Sequence, residues 1–211
     1  MTEEWKTWNF DEWADSYDDW VTSDDPVYAR YDEVLRMVVS HAKPSAGRTI
    51  LDVGTGTGNL AQLLAEKGAR VVGLDPSRRM LALARGKGCI EAGIDLCLTD
   101  SPFLSIPCPD QSFDAVVSTY AFHHVPRPMQ ADGIHEMLRV LKPGCPWVMG
   151  DLIFKNAKAE RAALERYGWM EDEYYARIEE LRPVLADFGM DLDSRQFTPV
   201  TWVIWATKST A

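Results

Sequence analysis

The chain has 211 residues, of which 46% are apolar, and a formal net charge of −10. That is enough apolar material for one ordinary core without disulfide or metal support, while the acidity, unrelieved by any Lys/Arg cluster, excludes nucleic acid as a natural partner. No apolar run reaches the roughly 18 residues of a membrane span or has the form of a signal peptide, so a cytoplasmic protein with no membrane partner is expected.

In chain order, residues up to about Ala46 read as two helices. Asn9 can cap the first, with Glu12 at its third position, and Asp25-Pro26 opens the second. Phe10, Trp13, Tyr17 and Trp20 recur at helical steps on the first; Tyr28, Tyr31, Leu35 and Val38 do so on the second. The acids Asp11, Glu12, Asp15, Asp18 and Asp19 fall on the other side of the first helix, where a solvated face is expected.

From Arg48 onward, short β-rich runs alternate with helical ones, the pattern of βαβ units around a parallel sheet. Strands are expected over 49–53, 69–74, 94–99, 115–120 and 147–154, with helices after the first, second and fourth of them. A charged helix ending near Phe188 and a terminal hairpin over 190–199 and 200–207 complete the chain. The fold class is therefore α/β: a doubly wound, Rossmann-like, mostly parallel sheet in a single domain over 1–211. Within it, 1–46 is a helical lid segment, 47–154 the cofactor-binding core and 155–211 the C-terminal helix and hairpin.

The chemistry concentrates where the first strand ends, in Leu51-Asp52-Val53-Gly54-Thr55-Gly56-Thr57-Gly58-Asn59. A glycine loop opening a helix lets a ligand approach the backbone and meet unpaired helix N–H groups. The dinucleotide fingerprint G-x-G-x-x-G would need glycine at position 59, which is Asn59, so a nicotinamide oxidoreductase is the weaker alternative. Asp75 ends the second strand and Asp100 follows the third; both fall on the carboxyl edge of the sheet, where one carboxylate can accept ribose hydroxyls and the other an adenine amine. Cys89, Cys97, Cys108 and Cys145 form no C-x-x-C pair and the histidines show no zinc spacing, so no metal is expected.

Leu51–Asn59, Asp75-Pro76-Ser77, Phe113-Asp114-Ala115-Val116 and Leu141-Lys142-Pro143-Gly144 resemble, in order and spacing, successive motifs of the class I S-adenosylmethionine (SAM)-dependent methyltransferases. Phe10-Asp11-Glu12-Trp13-Ala14, Ser16-Tyr17-Asp18 and Ser118-Thr119-Tyr120-Ala121-Phe122-His123-His124 are similar to the YrrT-like group of small bacterial methyltransferases. The resemblance spans nearly the whole chain. It implies a seven-stranded sheet with its last strand antiparallel, SAM as cofactor with S-adenosylhomocysteine as product, and cofactor contacts at Gly54, Asp75 and Asp100. Thr55, Gly56, Gly58, Pro76, Ser101 and Tyr120 complete the expected cofactor set. Cys145 and Cys108 depart from the family pattern, standing where glycine and phenylalanine are usual.

Methyl transfer from a sulfonium is an in-line displacement, so the protein chiefly positions donor and acceptor and excludes water. His123 and His124, just past the fourth strand, are candidate proton acceptors, and Tyr17 on the first helix is a candidate for placing a π face or phenol oxygen near the sulfonium. The acidic chain points to a small-molecule acceptor, neutral or cationic. A SAM-binding protein without turnover is the second alternative.

Overall fold

The structure is a computed structural model describing residues 9–23, 25–167 and 173–210. Its sheet runs β3-β2-β1-β4-β5-β8-β7. The strands are β1 (Thr49–Val53), β2 (Arg70–Asp75), β3 (Ile94–Leu98), β4 (Ala115–Thr119), β5 (Pro146–Phe154), β7 (Asp193–Gln196) and β8 (Thr201–Thr207). β1 to β5 are parallel; β8 runs antiparallel to β5, and β7 antiparallel to β8. This is the expected doubly wound sheet with its terminal hairpin. One two-residue strand is added, β6 (Ala176–Arg177), which pairs parallel with Ile153 and Phe154 at the end of β5.

Strand periodicity explains the layers, because successive side chains leave the sheet on opposite faces. Ile50, Val117 and Val148 join one core cluster with Val34, Leu35 and Val38 of α2 (Tyr31–Ala42) and Leu60 and Leu64 of α3 (Asn59–Glu66). Leu51, Val116, Trp147 and Met149 join the other, with Ile134, Met137 and Leu138 of α5 (Gln130–Val140) and Leu181 and Leu185 of α7 (Ile178–Ala186). All nine residues of β5 are buried, as a strand covered on both faces requires.

Three local expectations are corrected. Asp25-Pro26 opens a turn, not the second helix: Asp25 accepts the Val27 amide at 2.8 Å on its carboxylate and the Tyr28 amide at 2.9 Å on its carbonyl, and α2 begins only at Tyr31. Asn9 makes no side-chain cap; its amide donates to Glu12 Oε1 at 2.6 Å, while its backbone carbonyl receives the Glu12 N–H. Among the described residues the single charged helix expected before Phe188 is two, α6 (Ala157–Arg166) and α7, with Ala176 and Arg177 drawn out as β6 along β5. Part of that expected helix, 168–172, lies outside the described residues.

The N-terminal helices occupy different places. α2 lies on the sheet, its buried Val34 and Val38 directly over Gly150 of β5, whereas α1 (Phe10–Trp20) buries only Ala14 and packs on α4 (Arg78–Gly86) at the carboxyl edge. Gly150 sets how closely α2 approaches, since a Cβ there would stand 2.8 Å from Val34 Cγ1 and 3.1 Å from Val38 Cγ2. Gly150→Ala should therefore overpack this contact and destabilise the protein by about 1–3 kcal/mol. Urea denaturation measures it; an unchanged midpoint would show that α2 yields without loss.

Candidate functional site

β1 is flanked by β2 on one side and β4 on the other, so the crossovers leave in opposite directions and open a crevice at the strands' carboxyl ends. A cleft of about 1120 Å³ fills that place. Gly54, Thr55, Gly56, Asp75, Pro76, Asp100, Ser101, Tyr120, His123, His124 and Tyr17, expected from the sequence, all line it. Gly58 is the exception: it lies at φ +84° beneath the loop, where a Cβ would meet Cys89 Sγ at 2.6 Å, so its role is close packing.

The loop is held from the end of β2. Asp75 accepts the Gly56 amide at 2.8 Å on one carboxylate oxygen and the Ser77 amide at 2.9 Å on the other. Burial pushes its pKa up to about 6 in spite of those two bonds. Asp52, which the sequence reading passed over as part of an apolar strand, lies under the same loop. One of its oxygens accepts from Thr55 Oγ1 at 2.8 Å; the other, Oδ1, is buried without a hydrogen-bond partner, and burial raises its pKa to about 7. An acid inside an otherwise apolar run was the available signal.

α1 lines the cleft from one side, and three acids on its exposed face take partners across the fold. Asp11 accepts from Ser77 Oγ and from the Arg79 amide at 3.0 Å, capping the start of α4. Asp15 pairs with Arg79 at 2.6 Å. Asp18 pairs with Lys87 at 2.8 Å while accepting Thr57 Oγ1 at 2.8 Å and Asn59 Nδ2 at 3.1 Å, both from the glycine loop region. The acidic face is exposed as expected, Asp15 at 65% and Asp18 at 44%, but it also takes partners, those of Asp18 coming from 39 to 69 residues away in the chain. Tyr17, on the same helix, hydrogen-bonds to Tyr31. Burial and the neighbouring Tyr31 and Tyr28 raise its pKa well above the ordinary phenol value, so at neutral pH its hydroxyl stays protonated and can donate but not act as a base.

At the far end stand two imidazoles on the 3-10 turn Phe122–His124. His123 Nδ1 lies 2.5 Å from Asp151 Oδ1, both side chains buried. Asp151, at the centre of β5, also accepts the Phe122 and Leu152 amides at 2.7 Å each. Burial alone would keep His123 neutral, but the Asp151 carboxylate outweighs it and raises the imidazole pKa above its ordinary value. His124, 4.0 Å from His123 between ring centroids, is pushed the other way by burial and then by His123. Its Nδ1 meets Glu173 Oε2 at 3.1 Å. Asp151 and Glu173 were both missed in the sequence, since they sit 28 and 49 residues from their partners with no local pattern to join them. His123, His124 and Glu173 bring ligand-capable atoms within 4.8 Å of one another, a juxtaposition local spacing does not reveal; Asp151 and the His124–Glu173 pairing already engage them.

Comparison with known proteins agrees with this geometry. Residues 50–144 match the methyltransferase domain family. An uncharacterized methyltransferase of Geobacillus sp. (strain WCH70) is 34% identical, with 94% of this chain and 96% of that protein covered. One from Bacillus cereus (strain ATCC 14579) is also 34% identical over the same shares. Among solved structures, magnesium protoporphyrin IX methyltransferase from Synechocystis PCC 6803, with bound S-adenosylhomocysteine, has the same fold at a TM-score of 0.74 and 18% identity, with 94% of this chain and 97% of that one covered.

The clamp on α1 is open to test. Asp18→Ala removes one half-exposed ion pair and two hydrogen bonds, together roughly 1 kcal/mol after solvent screening, so amide exchange in α1 should accelerate about fivefold while β1 and β4 keep their protection. Equal exchange in the two proteins would show that the acids do not hold the helix.

Proposed function

The chain belongs to the methyltransferase family of these Geobacillus and Bacillus relatives, and from that premise we propose that it transfers the methyl group of SAM to a small-molecule acceptor inside the cleft. The reading is carried by one observation: a single cleft, closed over by α1, joins the glycine loop and strand-end acids to the Asp151–His123 pair. SAM supplies an electrophilic methyl group on a positively charged sulfur. The residues fit it. A Cβ built on Gly56, at φ +55°, meets nothing within 4 Å, so the loop backbone faces open space through which a ligand can approach. Asp75, whose two backbone bonds leave further lone pairs, and exposed Asp100 offer acceptors for the nucleoside. The volume exceeds the about 300–1,000 Å³ of a single drug-sized ligand, which suits two reactants held side by side.

His123 takes the acceptor's proton in this reading. Donation of Nδ1–H to Asp151 leaves Nε2 as the basic nitrogen, and the carboxylate stabilises the imidazolium that forms. Because only the neutral imidazole can accept a proton, turnover rises with pH through a midpoint above 6.5. The small acceptor is supported by a net charge of −10, which disfavours a polyanionic substrate. No helix among the described residues is long and apolar enough to cross a membrane.

Calorimetry with SAM, S-adenosylhomocysteine and NAD, followed by transfer from labelled SAM to small acceptors and to tRNA, tests the proposal. Binding of the first two ligands and transfer to small molecules are expected; binding of NAD alone, or transfer to tRNA at a comparable rate, overturns it. Asp75→Asn should weaken SAM roughly tenfold by replacing one charge-assisted acceptor worth about 1.5 kcal/mol. In the unaltered protein the affinity should be full above pH about 6 and fall below it as Asp75 takes up its proton, with protons released on binding near that pH. A pH-independent affinity would remove Asp75 from the contact. Gly56→Val puts a branched side chain into the open space at a backbone conformation it resists, and should abolish SAM binding; normal binding would make the loop a mere turn.

A further inference from the structure

The part of the cleft away from the glycine loop has a composition of its own. Its walls are aromatic: Phe10 and Trp13 of α1 stand 5.0 and 6.2 Å from the His124 ring, and Tyr28 packs on Tyr120 at 5.4 Å. Set among these is Glu173, four-fifths buried, and Asp25 also lines the space. Of the described residues lining the cleft, Arg78 is the one Lys or Arg, and it stands at the start of α4. Among the described residues, the far end therefore presents carboxylates with no lysine or arginine beside them. His124 does not compensate Glu173, because burial and the adjacent His123 favour its neutral form, and the charge His123 gains is matched by Asp151.

A carboxylate in aromatic surroundings without a fixed counter-charge is costly to keep and favourable to fill with an organic cation, which gains both the ion pair and the ring quadrupoles. A carboxylate or phosphate ligand would meet Glu173 and Asp25 as like charges. An uncharged alcohol would leave the charge of Glu173 uncompensated.

We propose, resting on the methyltransferase reading above, that the methyl acceptor is a small organic amine, held in its ammonium form against Glu173 and the rings of Phe10 and Trp13, and methylated on nitrogen. The ammonium first gives one proton to His123 Nε2. The freed nitrogen lone pair then forms the N–C bond as the C–S bond of the donor breaks, its electron pair remaining on sulfur. The products are an N-methylammonium, again a cation facing Glu173, and neutral S-adenosylhomocysteine.

The test uses the full chain saturated with S-adenosylhomocysteine and titrates three probes of one shape by calorimetry: phenethylamine, 2-phenylethanol and phenylacetate. The amine is expected to bind at least tenfold more tightly than the alcohol, and the acid more weakly than either. Glu173→Gln should bring the amine to the level of the alcohol while S-adenosylhomocysteine affinity and melting temperature stay unchanged. Amine and alcohol binding alike, or an amine affinity indifferent to Glu173→Gln in a folded variant, overturns the proposal. Should S-adenosylhomocysteine itself not bind, the methyltransferase reading fails, and the same titration on the protein alone still decides whether Glu173 selects a cation.

Discussion

The Asp75 carboxylate joins two backbone segments that the chain leaves unconnected: through Gly56 it holds the glycine loop after β1, and through Ser77 it holds the entry to α4. The two contacts are possible because β1 and β2 pair in parallel register, Val53 beside Leu74, so that both strands deliver their ends to the same edge. With the loop fixed there, the crossovers on either side of β1 leave a crevice, and the groups expected to carry chemistry, Gly58 apart, reach it from the loop, a strand end or α1. Holding Asp75 and Asp52 away from water raises both carboxyls toward neutrality, so the loop is also where a bound ligand can most strongly alter protonation.

The acidity of the chain is local as well as global in its effect. Along α1 it is spent on fixed partners, Arg79, Lys87, Ser77, Thr57 and Asn59, which together bring the aromatic side of the helix over the cleft. Contacts of this kind are individually weak in water, but they converge on one face and act on a helix that buries only Ala14. A helix so attached is held in place by directional bonds more than by apolar burial, whereas α2 seats Val34 and Val38 closely on Gly150.

The two imidazoles illustrate how neighbouring groups of one kind acquire different properties. His123 and His124 share a turn and nearly touch, yet the buried carboxylate of Asp151 favours the charged form of one while burial beside that charge disfavours it in the other. The result is one imidazole suited to taking a proton and one suited to orienting Glu173 through a neutral N–H.

Much of this molecule was readable in its sequence because the relevant signals are local. The alternation of apolar residues located β1 to β5, the glycine loop announced the first crossover, and the acids following the second and third strands marked the carboxyl edge. Turn chemistry was harder: Asp25-Pro26 is equally good at starting a helix or a turn, and only the bonds it makes decided for the turn. What tertiary structure alone decided are the pairings across long separations. The capture of Asp18 by the loop and Lys87, the docking of Glu173 on His124, and the drawing of Ala176 and Arg177 into a strand against β5 depend on which surfaces meet after the sheet has formed. A charged side chain carries no local mark of its eventual partner, whereas an apolar periodicity states its secondary structure within a few residues; that difference separates what this sequence specified by itself from what the fold had to supply.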